Sequence, residues 1–211
     1  MRIRRRMLAL ACAVGVTLAA AACARRGEPQ RQAMAGIVIT PPIPKPDFTL
    51  TDTHGHPYNF RAETRGKVTL LFFGYTHCPD VCPLQMANVA AALKKAGPDV
   101  AKQVTVVFVT TDSVRDSPER LRQWLGSFDT TFVGLTGSLD RVNDIQARTR
   151  FLPRSVREEE GANYTVAHSA VMLAFARDDS AHVLYPSGVQ PAAWAEDLKR
   201  MAAAAPPRAN E

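Results

Sequence analysis

The sequence predicts an α/β fold, with a mixed central sheet flanked by helices, and three observations carry the prediction. Nearly unbroken apolar runs at 68–73 and 104–109 read as strands buried on both faces. A strand covered by helices on each side has no solvent face, so its pattern does not alternate. Helical spacing follows each run: Met86, Val89, Ala90 and Leu93 after the first, Leu121, Trp124 and Leu125 after the second. Late in the chain, 164–176 and 181–185 read as an antiparallel hairpin around Arg177-Asp178-Asp179-Ser180. Strands that alternate with helices pack as layers around one sheet, and the late hairpin supplies its antiparallel part.

The remaining elements follow from local signals. Phe48-Thr49-Leu50 and Tyr58-Asn59-Phe60 flank a turn with Gly55 and Pro57, an N-terminal hairpin. Gly97-Pro98 stops the first long helix, and Ser117-Pro118 opens the next as cap and first residue. Residues 131–135 form a short strand. Ser138 opens a helix carrying Leu139, Val142 and Ile145, and Pro191 opens a last one with Trp194, Leu198 and Met201 on one side. Cys78 and Cys82 stand where the first central strand gives way to its helix, which makes the expected fold thioredoxin-like.

The first 22 residues read as a signal peptide. Arg2, Arg4, Arg5 and Arg6 precede an apolar stretch at 7–22. That is shorter than the roughly 20 residues a membrane span needs, and it suits a signal-peptide core. Ala20-Ala21-Ala22-Cys23 resembles a lipobox, which makes Cys23 the expected lipidation site; an uncleaved signal anchor is the alternative. On either reading the chain is exported and tethered to a membrane, on the periplasmic side. Residues 23–46 read as the tethered linker, polar at first and ending in Pro41-Pro42-Ile43-Pro44-Lys45-Pro46, an extended semi-rigid stalk. The expected domain runs over 47–204, with 205–211 as a C-terminal tail. The net charge of +6 falls to +2 once the four leading arginines are removed, and the remaining basic residues are scattered. Nucleic-acid binding is therefore not expected.

Cys12 lies in the signal core and Cys23 is assigned to lipid, so Cys78 and Cys82 are the thiols left for chemistry. A disulfide over three intervening residues constrains the unfolded chain little, which argues for a functional pair over a structural bridge. A helix N-terminus favours thiolate, the form that attacks disulfides and binds metals. Positions i and i+4 share a helix face, so the two sulfurs can grip Cu(I), a soft ion. Dithiol–disulfide cycling remains the other use of the pair. Of the five histidines, His54 and His56 sit in a turn and His182 in the last hairpin. His77 precedes Cys78 and can tune the site. His168 opens an apolar strand whose entry passes near the active cysteines in a thioredoxin-like fold, and it is the expected third ligand. Structural zinc takes four protein ligands, and here three stand out, so copper fits better.

Residues 72–83, Phe72-Phe73-Gly74-Tyr75-Thr76-His77-Cys78-Pro79-Asp80-Val81-Cys82-Pro83, closely resemble the hallmark of the Sco/SenC family. So do 107–112 with Arg115-Asp116-Ser117-Pro118, the segment 134–137, and 164–169. The resemblance covers about 47–200. It implies a thioredoxin-like, membrane-tethered protein that assembles the copper site of cytochrome c oxidase. It implies one copper per chain, Cu(I) or Cu(II), held by Cys78, Cys82 and His168, with Asp80 and His77 behind the ligands. The implied partner is a copper-accepting apoprotein, a cytochrome c oxidase subunit. The sequence departs from the family at Ala167, where an acid usually precedes the histidine, and at Ser113-Val114. The alternative function is a thiol–disulfide reductase acting on a partner's cysteines. A peroxidase is the weaker third reading, because Thr76 stands only two residues before Cys78.

Overall fold

The computed structural model describes residues 33–150, 152–158 and 164–204. The expected signal peptide, Cys23 and the C-terminal tail lie outside them. Along the chain run β1 (Ile37–Pro44), β2 (Thr49–Asp52), β3 (Pro57–Asn59), α1 (Phe60–Glu63), β4 (Val68–Gly74), α2 (Val81–Ala96), α3 (Pro98–Ala101) and β5 (Val104–Thr110). Then follow α4 (Pro118–Gly126), β6 (Val133–Thr136), α5 (Leu139–Ala147), β7 (Val156–Arg157), β8 (Val166–Ala167), β9 (Met172–Phe175), β10 (Ser180–Tyr185) and α6 (Pro191–Ala203).

Eight strands form one sheet in the order β1-β10-β9-β4-β5-β6-β2-β3. β4, β5 and β6 are parallel, with Leu71 opposite Val107 and Val109 opposite Leu135. β9 runs antiparallel to β4, and β2 antiparallel to β6. All seven residues of β4 are buried. Alternate residues face opposite sides, so Leu70 and Phe72 join Phe108, Met86, Leu121 and Trp194 in one core layer. Leu71 and Phe73 join Val109, Phe60, Ile145 and Phe175 in the other. The caps are those the sequence signals: Ser117 accepts from the Arg120 N–H at 3.2 Å and Ser138 from the Arg141 N–H at 3.3 Å. This is the expected thioredoxin-like arrangement, with the N-terminal hairpin on an edge. Among the described residues no helix is long and apolar enough to cross a membrane.

Two expectations need correction. The linker expected over 23–46 is not a stalk along its whole length. Residues 37–44 form edge strand β1, antiparallel to β10, with Val38 opposite Val183 and Ile43 opposite Ala181. Extended backbone and missing N–H groups also suit an edge strand, so proline does not separate stalk from edge. Ile39 and Ile43 are buried against the sheet, and Lys45 is buried with them. Second, the strand expected over 164–176 is broken. β8 leaves the main sheet and pairs with β7 as a separate ribbon, and β9 resumes at Met172. His168 lies in the break.

Candidate metal centre

β4 ends at Gly74, at the carboxyl edge of the parallel strands, and the next residues turn sharply. The Cys78 N–H donates to the Tyr75 carbonyl oxygen at 3.2 Å. Pro79 disfavours helical backbone at Cys78, and α2 starts only at Val81 with Asp80 as its cap. Cys78 therefore lies in the turn and Cys82 in the first helical turn, so the shared helix face expected for the pair is not what aligns them. A tight fit at Gly74 contributes: a β-carbon there would lie 2.6 Å from Cys82 Sγ and 2.8 Å from the Phe72 ring. His168 arrives from the break between β8 and β9. Its Nε2 lies 3.5 Å from Cys82 Sγ.

Cys78 Sγ, Cys82 Sγ and a ring nitrogen of His168 all lie within 4.8 Å of one another. Both cysteines are free thiols and buried, and His168 is half-buried. The His168 Nδ1 stands 3.0 Å from the Ser169 carbonyl oxygen, which can only accept, so Nδ1 carries a proton. In the neutral ring Nε2 then turns its lone pair to the sulfurs. Tyr75 and Phe72 meet the imidazole edge-on, at 5.4 and 6.2 Å between ring centres.

The two thiols differ. The Cys82 sulfur, through its hydrogen bond, pulls the Cys78 thiol well below the ordinary value; the His168 side chain and the main-chain N–H groups of Cys82 and Asp80 act in the same direction, against burial. Burial pushes Cys82 the other way, and the neighbouring Cys78 sulfur adds to the shift. The pair therefore presents one thiolate and one thiol at neutral pH. Two soft sulfurs and an imidazole, clustered and partly shielded from water, form a donor set fitted to one soft metal ion, which would displace the Cys82 proton on binding.

His77 and Asp80 stand apart from this cluster. The His77 Nδ1 lies 3.6 Å from Asp116 Oδ1 and 3.3 Å from Thr76 Oγ1. The Asp80 side chain is exposed and caps no helical N–H; its main-chain N–H is what reaches the site. Further residues support the centre without a role assigned to them in the sequence. Asp116, fully buried, accepts from the Thr76 N–H at 2.9 Å, from the Thr76 hydroxyl at 2.6 Å and from the Thr110 hydroxyl at 2.6 Å. This fixes the start of the cysteine turn to β5. Asp112 accepts from the Arg115 Nε and from the Tyr164 hydroxyl, both very short contacts. Asp112, Arg115, Asp116 and Tyr164 fall in the family-like stretches 107–112, 115–118 and 164–169, but their pattern there does not show which distant groups they bond.

The SCO1/SenC family profile matches residues 40–203. A putative copper-binding protein of Stutzerimonas stutzeri is 30% identical over 136 residues, 64% of this chain and 65% of that protein. Bradyrhizobium japonicum ScoI, solved with copper bound, is 34% identical with a TM-score of 0.65, over 75% of this chain and 99% of that one. Apo Sco1 of Thermus thermophilus is 30% identical with a TM-score of 0.70, over 82% and 99%. BsSco, a member of the Sco family of cytochrome c oxidase assembly proteins, shares the fold at a TM-score of 0.61 and 20% identity, over 80% and 99%. The chain spans 32% of the Arabidopsis thaliana SCO1 homolog 1 and 47% of the Schizosaccharomyces pombe sco1 protein. With the profile matched over most of its length, the chain belongs to the SCO1/SenC family.

Proposed function

We propose that this protein holds one copper ion between Cys78, Cys82 and His168 and delivers it to, or helps mature, the copper site of a cytochrome c oxidase subunit. The carrying observation is the convergence of the two thiols and the His168 imidazole within 4.8 Å. The copper-bound B. japonicum relative, and the membership of BsSco in the Sco family of cytochrome c oxidase assembly proteins, support it. Three protein donors leave a coordination position for an incoming ligand, so the cargo can pass to an acceptor by ligand exchange. The basic start, the apolar stretch and Cys23 support export and a lipid tether on the periplasmic side, which would put the protein where a membrane oxidase is assembled.

The experiment is a copper titration of the reduced chain beside His168→Ala and Cys82→Ser. One copper per chain, with a thiolate-to-Cu(II) absorption lost in both variants, is expected. A wild-type chain that binds no copper sinks the proposal. The split between a thiolate at Cys78 and a buried thiol at Cys82 favours a second reading, thiol–disulfide reduction of a partner. That activity needs no imidazole, so His168→Ala would keep it while losing copper.

A further inference from the structure

His168 sits between two anchors of unequal strength. Four residues downstream, Met172 begins β9, which pairs with β10 and, from Leu173, with β4. Upstream the chain has β8, two residues long, paired with the equally short β7 in a ribbon separate from the main sheet. A two-stranded ribbon is marginal by itself even when longer than this. Its ties to the core are therefore what place the upstream side of His168.

On the β7 side, Ser155 is bonded to Asn143 and Gln146 of α5; on the β8 strand that leads into the histidine, the ties meet at Tyr164, four residues before it. The Arg115 Nη1 donates to the Tyr164 carbonyl oxygen at 2.9 Å, and its guanidinium lies 3.6 Å from the centre of the Tyr164 ring. The Arg115 Nε donates to Asp112, whose other carboxylate oxygen accepts from the Tyr164 hydroxyl. One residue just before β8 is thus held through its main chain, its ring face and its hydroxyl. Arg115 and Asp112 belong to the segment directly after β5, at the same sheet edge as the cysteine turn. A further tie, the Val166 N–H to the Tyr75 hydroxyl, is long at 3.4 Å. A guanidinium serves such a junction because its planar fork donates in fixed, separate directions while its face stacks on a ring; an ammonium does neither.

We propose that Arg115 is a positioning residue for the copper centre, which holds His168 in reach of the two sulfurs by fastening Tyr164 to the segment after β5. The inference rests on the copper reading above. Its consequence is specific: loss of Arg115 detaches the imidazole limb of the site and leaves both thiols where they are.

The test is Cu(II) binding by the reduced full chain, followed by affinity, by sulfur-to-copper absorption and by nitrogen hyperfine structure in electron paramagnetic resonance. Wild type, Arg115→Ala, Arg115→Lys, His168→Ala and the Arg115→Ala/His168→Ala double variant are compared. Arg115→Ala is expected to weaken binding about 10- to 100-fold, the range for residues that orient a ligand. It should lose the nitrogen signal and keep the sulfur band. Arg115→Lys should recover part of the affinity. The double variant should bind no worse than His168→Ala alone. Wild-type affinity with an intact nitrogen signal in Arg115→Ala overturns the inference. So does a full additional loss in the double variant, which would mean that Arg115 acts through general stability. If Arg115→Ala does not fold, Tyr164→Leu carries the same test, since it removes the ring that Arg115 stacks on and the hydroxyl held by Asp112; an unchanged affinity and nitrogen signal there is equally fatal. A wild type that binds no copper overturns the copper reading itself, whereas normal wild-type binding beside an unaffected variant overturns the positioning role alone.

Discussion

At the scale of single residues, the centre depends on two thiols driven apart in acidity. Cys78 ionises below the ordinary thiol value because Cys82 and main-chain N–H groups stabilise its anion; Cys82 ionises above it because it is buried beside that anion. The consequences for stability have opposite signs. Below the ordinary value, about 8.5, the unfolded chain binds a proton at Cys78 that the folded chain does not, so the Cys78 contribution fades as the pH falls. Above it the folded chain keeps the Cys82 proton that the unfolded chain loses, so the Cys82 contribution fades as the pH rises. The stability difference between the reduced protein and Cys78→Ser/Cys82→Ser should peak near that pH and fall on both sides. Denaturant midpoints measured across the pH range check this, and a flat difference would contradict it. Gly74 sets the fit beneath Cys82: a methyl group there meets the sulfur at 2.6 Å. Gly74→Ala should cost about 1–3 kcal/mol by overpacking, read by denaturant unfolding, and should displace Cys82 enough to weaken metal binding.

At the scale of elements, most of the frame is legible in the sequence because local pattern and tertiary role agree. The apolar runs become β4 and β5, and Ser117-Pro118 and Ser138 cap α4 and α5 where expected. The three converging donors are legible too, from the family-like motifs at 72–83 and 164–169. The support behind them is not, since it depends on contacts between distant segments. Asp116 is one charge in an Arg-Asp-Ser-Pro stretch until folding brings Thr76 and Thr110 to it, and His77 turns to that same network instead of to the sulfurs. Nor does apolar pattern reveal the break at His168, because Val166 and Met172 are both buried although they sit in different sheets. Asp116→Asn tests the network. An amide turns an N–H toward a donor where a carboxylate oxygen accepted, so about 1.5–3 kcal/mol should be lost. The cysteine turn should loosen with it, seen as faster hydrogen exchange at the Thr76 and Cys78 amides than at Val107 in β5.

At the scale of the whole molecule, the domain reaches further toward the N-terminus than its proline content suggests. β1 covers the outer edge of β10, which would otherwise expose a row of unpaired main-chain groups beside a hydrophobic strand. Its C-terminal end is pinned by Lys45. That ammonium is buried, 2.8 Å from Asp179, 3.1 Å from the Thr64 carbonyl oxygen and 3.3 Å from the Thr69 hydroxyl. Burial pulls the Lys45 pKa below its usual value, and the Asp179 contact opposes the shift. The anchor joins β1, the α1–β4 connection and the β9–β10 turn, three segments far apart in sequence. Lys45→Met keeps the aliphatic stem and strips the charge from Asp179 and Thr64. The loss expected for hydrogen bonds to a charged group is about 2 kcal/mol, or roughly 4–8 °C in Tm for a domain of this size. A chain that starts at 47 should lose more, because β10 also loses its edge partner, and should aggregate on concentration, while one that starts at 34 should melt as the intact domain does. Calorimetry and light scattering on the three chains decide the point. Equal melting of the chains starting at 34 and 47 would return β1 to the linker.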